Sequence, residues 1–147
     1  MDAVFNSVLR ILEFVVAFGL LVFLHELGHY LMAKLFNIQV DEFGFGFPPR
    51  LIKLFQFRET EFTLNWIPFG AFVRPRGEND PSVPGGLASA TPGARLAILF
   101  GGPVMNLITG IILFSVIFTQ VGAPDTKQVL IMDVSPDTPA AAAGIQK

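Results

Sequence analysis

The chain contains no cysteine. Disulfides and thiolate metal sites are therefore excluded, and any metal held by this sequence must rest on His, Asp or Glu. Histidine is nearly as scarce, with two copies standing four residues apart in "HELGH". Charge is thin: 15% of the 147 residues are charged and the formal net charge is -2. No dense basic block occurs, so nothing electrostatic points to nucleic acid. No basic stretch precedes the first apolar run and no A-x-A-like site follows it, which argues against a cleaved signal peptide. No internal repeat is apparent.

What is abundant is apolar surface, with 52% hydrophobic residues and a mean hydropathy of +0.57, above the globular norm. Two runs reach the ~20 residues that a bilayer requires. The first, Ser7 to Phe36, is apolar all round, unlike a surface helix. The second, Leu96 to Phe118, carries no charge at all. Lys34, Arg50, Lys53, Arg58, Arg74, Arg76 and Arg95 lie in or beside the connection, against Arg10, Lys127 and Lys147 at the two ends. The positive-inside rule puts the connection in the cytoplasm and both ends outside.

Within the connection, Phe43, Phe45 and Phe47 step by two, as do Phe55 and Phe57 and then Phe62, Leu64 and Trp66, which alternate with Glu61, Thr63 and Asn65. Period two predicts strands with one apolar face. The reversal at "RET" lacks an Asn-Gly signal, so register is open. Such a sheet either packs on itself in the cytoplasm or lies against the bilayer with its backbone groups paired. Residues 76–95, rich in Pro, Gly and Ser, read as a flexible linker. After the second span, "GAPD" breaks the helix, "QVLIMDV" reads as a buried strand, "SPDTP" as a turn and "AAAAG" as a short helix closed by Gly144. This tail is too short for a core of its own, so the sequence is expected to be part of a longer protein.

The predicted organisation is thus a mainly α-helical membrane protein. A first transmembrane helix occupies residues 1–37, a membrane-associated, aromatic-rich β region 38–75, a cytoplasmic linker 76–95, a second transmembrane helix 96–120, and the start of a further domain 121–147.

On a helix, His25 and His29 share one face and can grip one ion with their imidazoles. In H-E-x-x-H the intervening acid, Glu26, is the general base for the attacking water rather than a ligand. An ionisable residue deep in a membrane helix costs about 2.5–3.5 kcal/mol on insertion scales, so three together demand a compensating partner or function, which a divalent ion supplies. A metzincin would continue with Gly and His where Met32 and Leu35 stand, which rejects that class. Asp41, Glu42, Glu59 and Glu61 are available acids but read as solvated, leaving the third ligand to a part of the protein outside this sequence. In the second span, Gly102, Asn106 and Gly110 form a stripe of small residues suited to helix packing. Pro103 should kink or unwind the helix there. An amide facing lipid is penalised, so Asn106 is expected to bond the first helix, the strand region or a bound substrate.

Taken together, "HELGH" in a first span, "FGFGFP" and "PFGAFV" in the strands, "GGPVMN" opening the next span and "VLIMDVSPDTPAAAAGI" resemble the site-2 proteases. These are zinc metalloproteases that cut within membranes, and the likeness is to the bacterial regulators of envelope stress. One departure is "PFGAFV", where the family usually has a second Gly and a Tyr. The resemblance implies zinc on His25 and His29, Glu26 as base, and Asn106, with Gly102 and Pro103, supporting the site. It implies a third ligand from a later L-D-G aspartate, which this sequence lacks, so that the fragment alone would be inactive. It also implies an incomplete PDZ domain after the second span, on the extracytoplasmic side of a bacterial plasma membrane. The expected partners are transmembrane protein substrates and the lipid bilayer, the reaction being regulated intramembrane proteolysis. A helical substrate must unwind before a water can reach a carbonyl, and strand addition to part of Phe43–Trp66 would hold it, with Phe62, Thr63, Leu64, Asn65 and Trp66 in contact. Two other classes compete: a metal transporter or sensor, and a non-catalytic PDZ-bearing scaffold.

Overall fold

The computed structural model describes residues 2–122 and 131–145 and divides the chain into two compact units, Met1–Ile112 and Leu113–Lys147. Helix α1 spans Asp2–Leu35. With 34 residues it is roughly 51 Å long, more than the ~30 Å hydrocarbon core. Its end is a Schellman cap in which Asn37 takes the left-handed conformation (φ 57°) usually given to glycine. The Ile38 amide donates to the Ala33 carbonyl at 2.8 Å and the Asn37 amide to that of Lys34 at 3.1 Å. Ile38 then packs with Ala33, Val40 and Ile98 in the small buried core.

Two strands follow, β1 at Val40–Phe57 and β2 at Thr60–Pro75, paired as an antiparallel sheet through a tight turn at Arg58 (φ 53°). The pairing register of each strand breaks at mid-length, in β1 beside the cis Pro48–Pro49 bond, so that each continuous strand crosses the sheet twice. Residues 61–64 pair with 52–56 on one side and with 42–45 on the other, while 42–45 also pair with 71–74. The result is four lanes, in the order 50–57, 60–67, 40–47 and 70–75. The outer pairings are antiparallel; in the central one Glu42, Phe43, Gly44 and Phe45 rise in step with Glu61, Phe62, Thr63 and Leu64. One face carries rings: Phe55 stacks on Phe62 and Phe62 on Phe43, while Phe23 and Tyr30 of α1 pack edge-on against Phe43. The opposite face carries Glu42, Thr63 and Arg74.

Residues 76–91 differ from the open linker that their composition predicts. The Leu87 amide donates to the Arg76 carbonyl (2.8 Å), the Ala88 amide to that of Gly77 (3.0 Å), and Arg76 pairs with Asp41 at 2.8 Å. Leu87 and Ala90 pack against the buried core. Composition misleads here because the glycines serve turns (Gly77 has φ 56°) and the apolar residues anchor the loop.

Helix α2, Pro92–Val121, begins four residues before the predicted span. Thr91 caps it, receiving the Ala94 amide on its hydroxyl, with Pro92 at the first helical position. The helix continues unbroken through Pro103, so it is not unwound there. Both α1 and α2 are long and apolar enough to cross a membrane.

In the second unit, helix α3 (Pro139–Ala142) is capped by the Thr138 hydroxyl, and Gly144 follows with φ 73°, as the sequence predicts. The predicted strand at 128–134 falls partly on residues outside the described set. Its described portion, 131–134, forms no strand, and Met132 is largely exposed.

Candidate metal centre

The site is built where α1 and α2 touch. Gly28 and Gly101 bring the two backbones into contact: a β-carbon on Gly101 would stand 2.6 Å from the Gly28 carbonyl oxygen, and one on Gly28 would meet the Gly101 carbonyl. Only a residue without a side chain permits this approach. The crossing places the His25 and His29 rings over α2, one helical turn apart, with ring centroids 4.8 Å from each other.

Both Nε2 atoms converge on the same point. A β-carbon added to Gly102 would lie 2.5 Å from His25 Nε2 and collide with His29 Nε2 as well. The space that two ligand nitrogens share is thus the space of a missing side chain. Candidate ligand atoms of His25, Glu26 and His29 all lie within 4.8 Å of one another. Zinc with two imidazoles needs nitrogens no more than ~4.2 Å apart, within reach of small ring adjustments.

The other ring nitrogens are held. His29 Nδ1 lies 2.6 Å from the Ile98 carbonyl, so it carries the proton and donates, leaving Nε2 as a lone pair. His25 Nδ1 lies 3.0 Å from the Asn106 amide nitrogen, while Asn106 Oδ1 is buried without a partner. With the amide turned over, Oδ1 accepts from the Nδ1 proton and His25 Nε2 is likewise free for a metal. The donor set, the fixed tautomers and the cradle at Gly102 therefore fit zinc.

Glu26 projects from the same turn and shares a cavity wall with Val73 of the 70–75 lane, which packs against the buried core beside Tyr30 of α1. A cavity of about 480 Å³ opens beside Glu26 and His29, walled by Val73, Leu87, Ile98 and Leu99.

The four acids of the strand region lie elsewhere, each paired with a cation. Asp41 pairs with Arg76, Glu42 with Arg50 and Arg74, Glu59 with Lys34, and Glu61 with Lys53 and Arg50. The hydrogen bond from Lys53 holds the Glu61 carboxyl below its ordinary value, and that to Glu42 raises the Arg50 guanidinium above its own. Among the described residues, only His25, Glu26 and His29 come together as a metal-capable group.

Asn106 and Gly102 thus meet the histidines, whereas Pro103 is exposed and Gly110 faces open space. The expectation for Phe62–Trp66 needs correction. Phe62, Thr63 and Leu64 lie in an inner lane with neighbours on both sides, so no open edge remains there for an added strand. Asn65 donates to the Phe45 and Gly46 carbonyls, and Trp66 is mostly exposed. Residues that sequence reasoning missed are Gly28, Gly101 and Val73. A glycine inside a helical run signals close backbone approach and could have found the first two; a cavity wall set by strand pairing leaves no such trace.

The site is thus a metal-capable His-Glu-x-x-His helix, packed through glycines on a second apolar helix and bordered by a sheet. The chain belongs to Peptidase family M50, whose profile matches residues 13–145. It is 37% identical over 114 residues to a Clostridium acetobutylicum protein, covering 77% of this chain and 32% of that one. A Clostridium perfringens protein is 36% identical over 132 residues (89% and 38%), and one from Thermotoga maritima 32% over 143 residues (93% and 28%). All three bear the name "putative zinc metalloprotease". The chain spans between 28% and 38% of the length of these relatives.

Proposed function

We propose that this chain carries the zinc-binding and base-supplying part of a site-2-type metalloendopeptidase that cuts membrane-spanning substrates. The observation that carries the reading is the convergence of two Nε2 atoms on the vacant side-chain position of Gly102, with Glu26 beside them. His25 and His29 hold the zinc, and an aspartate outside residues 1–147 completes its protein ligands. When bound, zinc polarises the scissile carbonyl and acidifies the attacking water. Glu26 takes a proton from that water on a carboxylate oxygen and returns it to the leaving amine. The Ile98 carbonyl and the Asn106 amide, on the two Nδ1 atoms, keep the imidazoles aimed.

A substrate helix has its amides locked in i to i-4 bonds and must be held extended before attack. The inner position of 62–64 moves strand addition to the outer lane 70–75, the one that walls the cavity beside Glu26. In this reading residues 38–95 face the cytoplasm of a bacterial plasma membrane, as the basic connection supports. The tail begins a PDZ-type domain on the other side that screens substrates, making the proteolysis regulated. The fragment by itself is inactive.

The test uses the full-length protein in nanodiscs with a single-span substrate. Wild type should hold stoichiometric zinc and cleave. Glu26→Gln should keep the zinc and lose on the order of 10²–10⁴ in rate. A protein free of transition metal, or full cleavage by E26Q, overturns the reading; metal flux surviving E26Q would instead indicate transport.

A further inference from the structure

Glu42 is a buried carboxylate that the proposed chemistry does not use. It is 4% exposed and lies on the face of the sheet opposite the aromatic ladder. Its Oε1 accepts from Arg50 Nη2 at 2.9 Å and from the Thr63 hydroxyl at 2.8 Å, and its Oε2 from Arg74 Nη1 at 2.9 Å. Glu42 belongs to lane 40–47, Arg50 to 50–57, Thr63 to 60–67 and Arg74 to 70–75, so one side chain ties together all four lanes. Gly44 leaves room beside it for the Phe72 ring: a β-carbon there would strike that ring and the Asn65 amide.

The two arginines hold the same carboxylate at the same distance but have different surroundings. Arg50 divides its guanidinium between Glu42 and Glu61, 3.1 Å away, and Glu61 also takes Lys53. Arg74 spans from Glu42 to the face of the Phe72 ring, 5.5 Å away, and its chain neighbour is Val73, which walls the cavity beside Glu26. A buried ion pair is worth little net stability against an apolar replacement of the same size. What a doubly clamped carboxylate gives is a fixed relation between the lanes it joins. Here it fixes the lane that walls the cavity beside the general base.

We propose that Glu42 and Arg74 are positioning residues for the peptidase reaction. Through the Glu42–Arg74 pair the sheet sets the height of lane 70–75 on α1, and so the position, relative to Glu26, of the cavity wall and of a substrate strand lying on that lane. This rests on the peptidase reading above.

Arg50→Gln and Arg74→Gln in the full-length protein separate this role from a merely structural one, because each removes one arm of the same node. Arg74→Gln should lower kcat on the order of 10- to 100-fold, the scale of a small misplacement in an active site, with KM and zinc content within about twofold of wild type. Arg74→Lys should recover part of the loss. Arg50→Gln should leave kcat within about twofold. Amide hydrogen exchange, read without substrate, should speed up at Val73 in R74Q and not in R50Q. Equal kcat losses in the two glutamine variants, unchanged exchange at Val73, or an R74Q loss explained by missing zinc or lost fold in both Arg74 variants overturns the proposal. If wild type cleaves nothing, the peptidase reading fails; cleavage by wild type with symmetric losses sinks the positioning role alone.

Discussion

Gly28 and Gly101 meet main chain to main chain, and this contact fixes how close the histidine rings of α1 come to α2. Gly101→Val should therefore remove the metal without altering a ligand. The valine must displace the Gly28 carbonyl or the Met32 side chain, and the helices separate. Metal content of monodisperse, detergent-purified protein measures this, and stoichiometric zinc in G101V would show that the crossing is not the scaffold of the site.

Gly102→Ala places a methyl where both Nε2 atoms converge. Zinc occupancy should fall below about a tenth of wild type, while Gly110→Ala, which meets nothing within 4 Å, should bind normally. Alanine is also the better helix former by about 1 kcal/mol, so a G102A defect with intact helical circular dichroism can be assigned to the site rather than to folding.

Asn106→Leu deprives His25 Nδ1 of its partner at similar volume. Loss of such an orienting bond costs about 10- to 100-fold in metal affinity, which chelator competition reads directly. Asn106→Asp supplies a carboxylate acceptor for the Nδ1 proton and should bind zinc at least as well as the wild type. A tight-binding N106L would mean that the amide acts on substrate rather than on the ligand.

Lys34 at the end of α1 is hydrogen-bonded to Glu59 in the β1–β2 turn, and this bond holds the Glu59 carboxyl below its ordinary value of 4.5. A carboxylate with a lowered folded pKa stabilises the protein above the unfolded value, and the contribution fades as pH falls through the folded one. Carbon-detected NMR titration of Glu59 should give a midpoint below 4.5 that returns toward it in Lys34→Met. An unchanged midpoint in K34M would place the cause elsewhere.

The helices and the metal-capable triplet were legible because their signals are local: an uninterrupted apolar run, and imidazoles at i and i+4. Strands were legible from the alternation of Phe43, Phe45, Phe62 and Leu64. Their pairing was not, since nothing local in "FGFGFPP" says that 42–45 will pair with both 61–64 and 71–74. That non-local fact is what moves strand addition away from Phe62–Trp66. How residues 76–91 are anchored was not legible for a related reason: the cluster that Leu87 and Ala90 pack against includes Ala33, Ile38 and Val40, far away in sequence. Asn106 was singled out from the cost of a lipid-facing amide, but its partner, His25, emerged only from the helix crossing.

Because each strand is laid across the sheet twice, chain length is locked wherever one lane serves two neighbours. A residue inserted between 60 and 67 would shift its frame against both flanking lanes and turn ring-bearing positions toward the ionic face. The bend beyond Phe57 and the loop after Arg76 escape that constraint, and evolution can lengthen this molecule there while the geometry around the histidines stays unchanged.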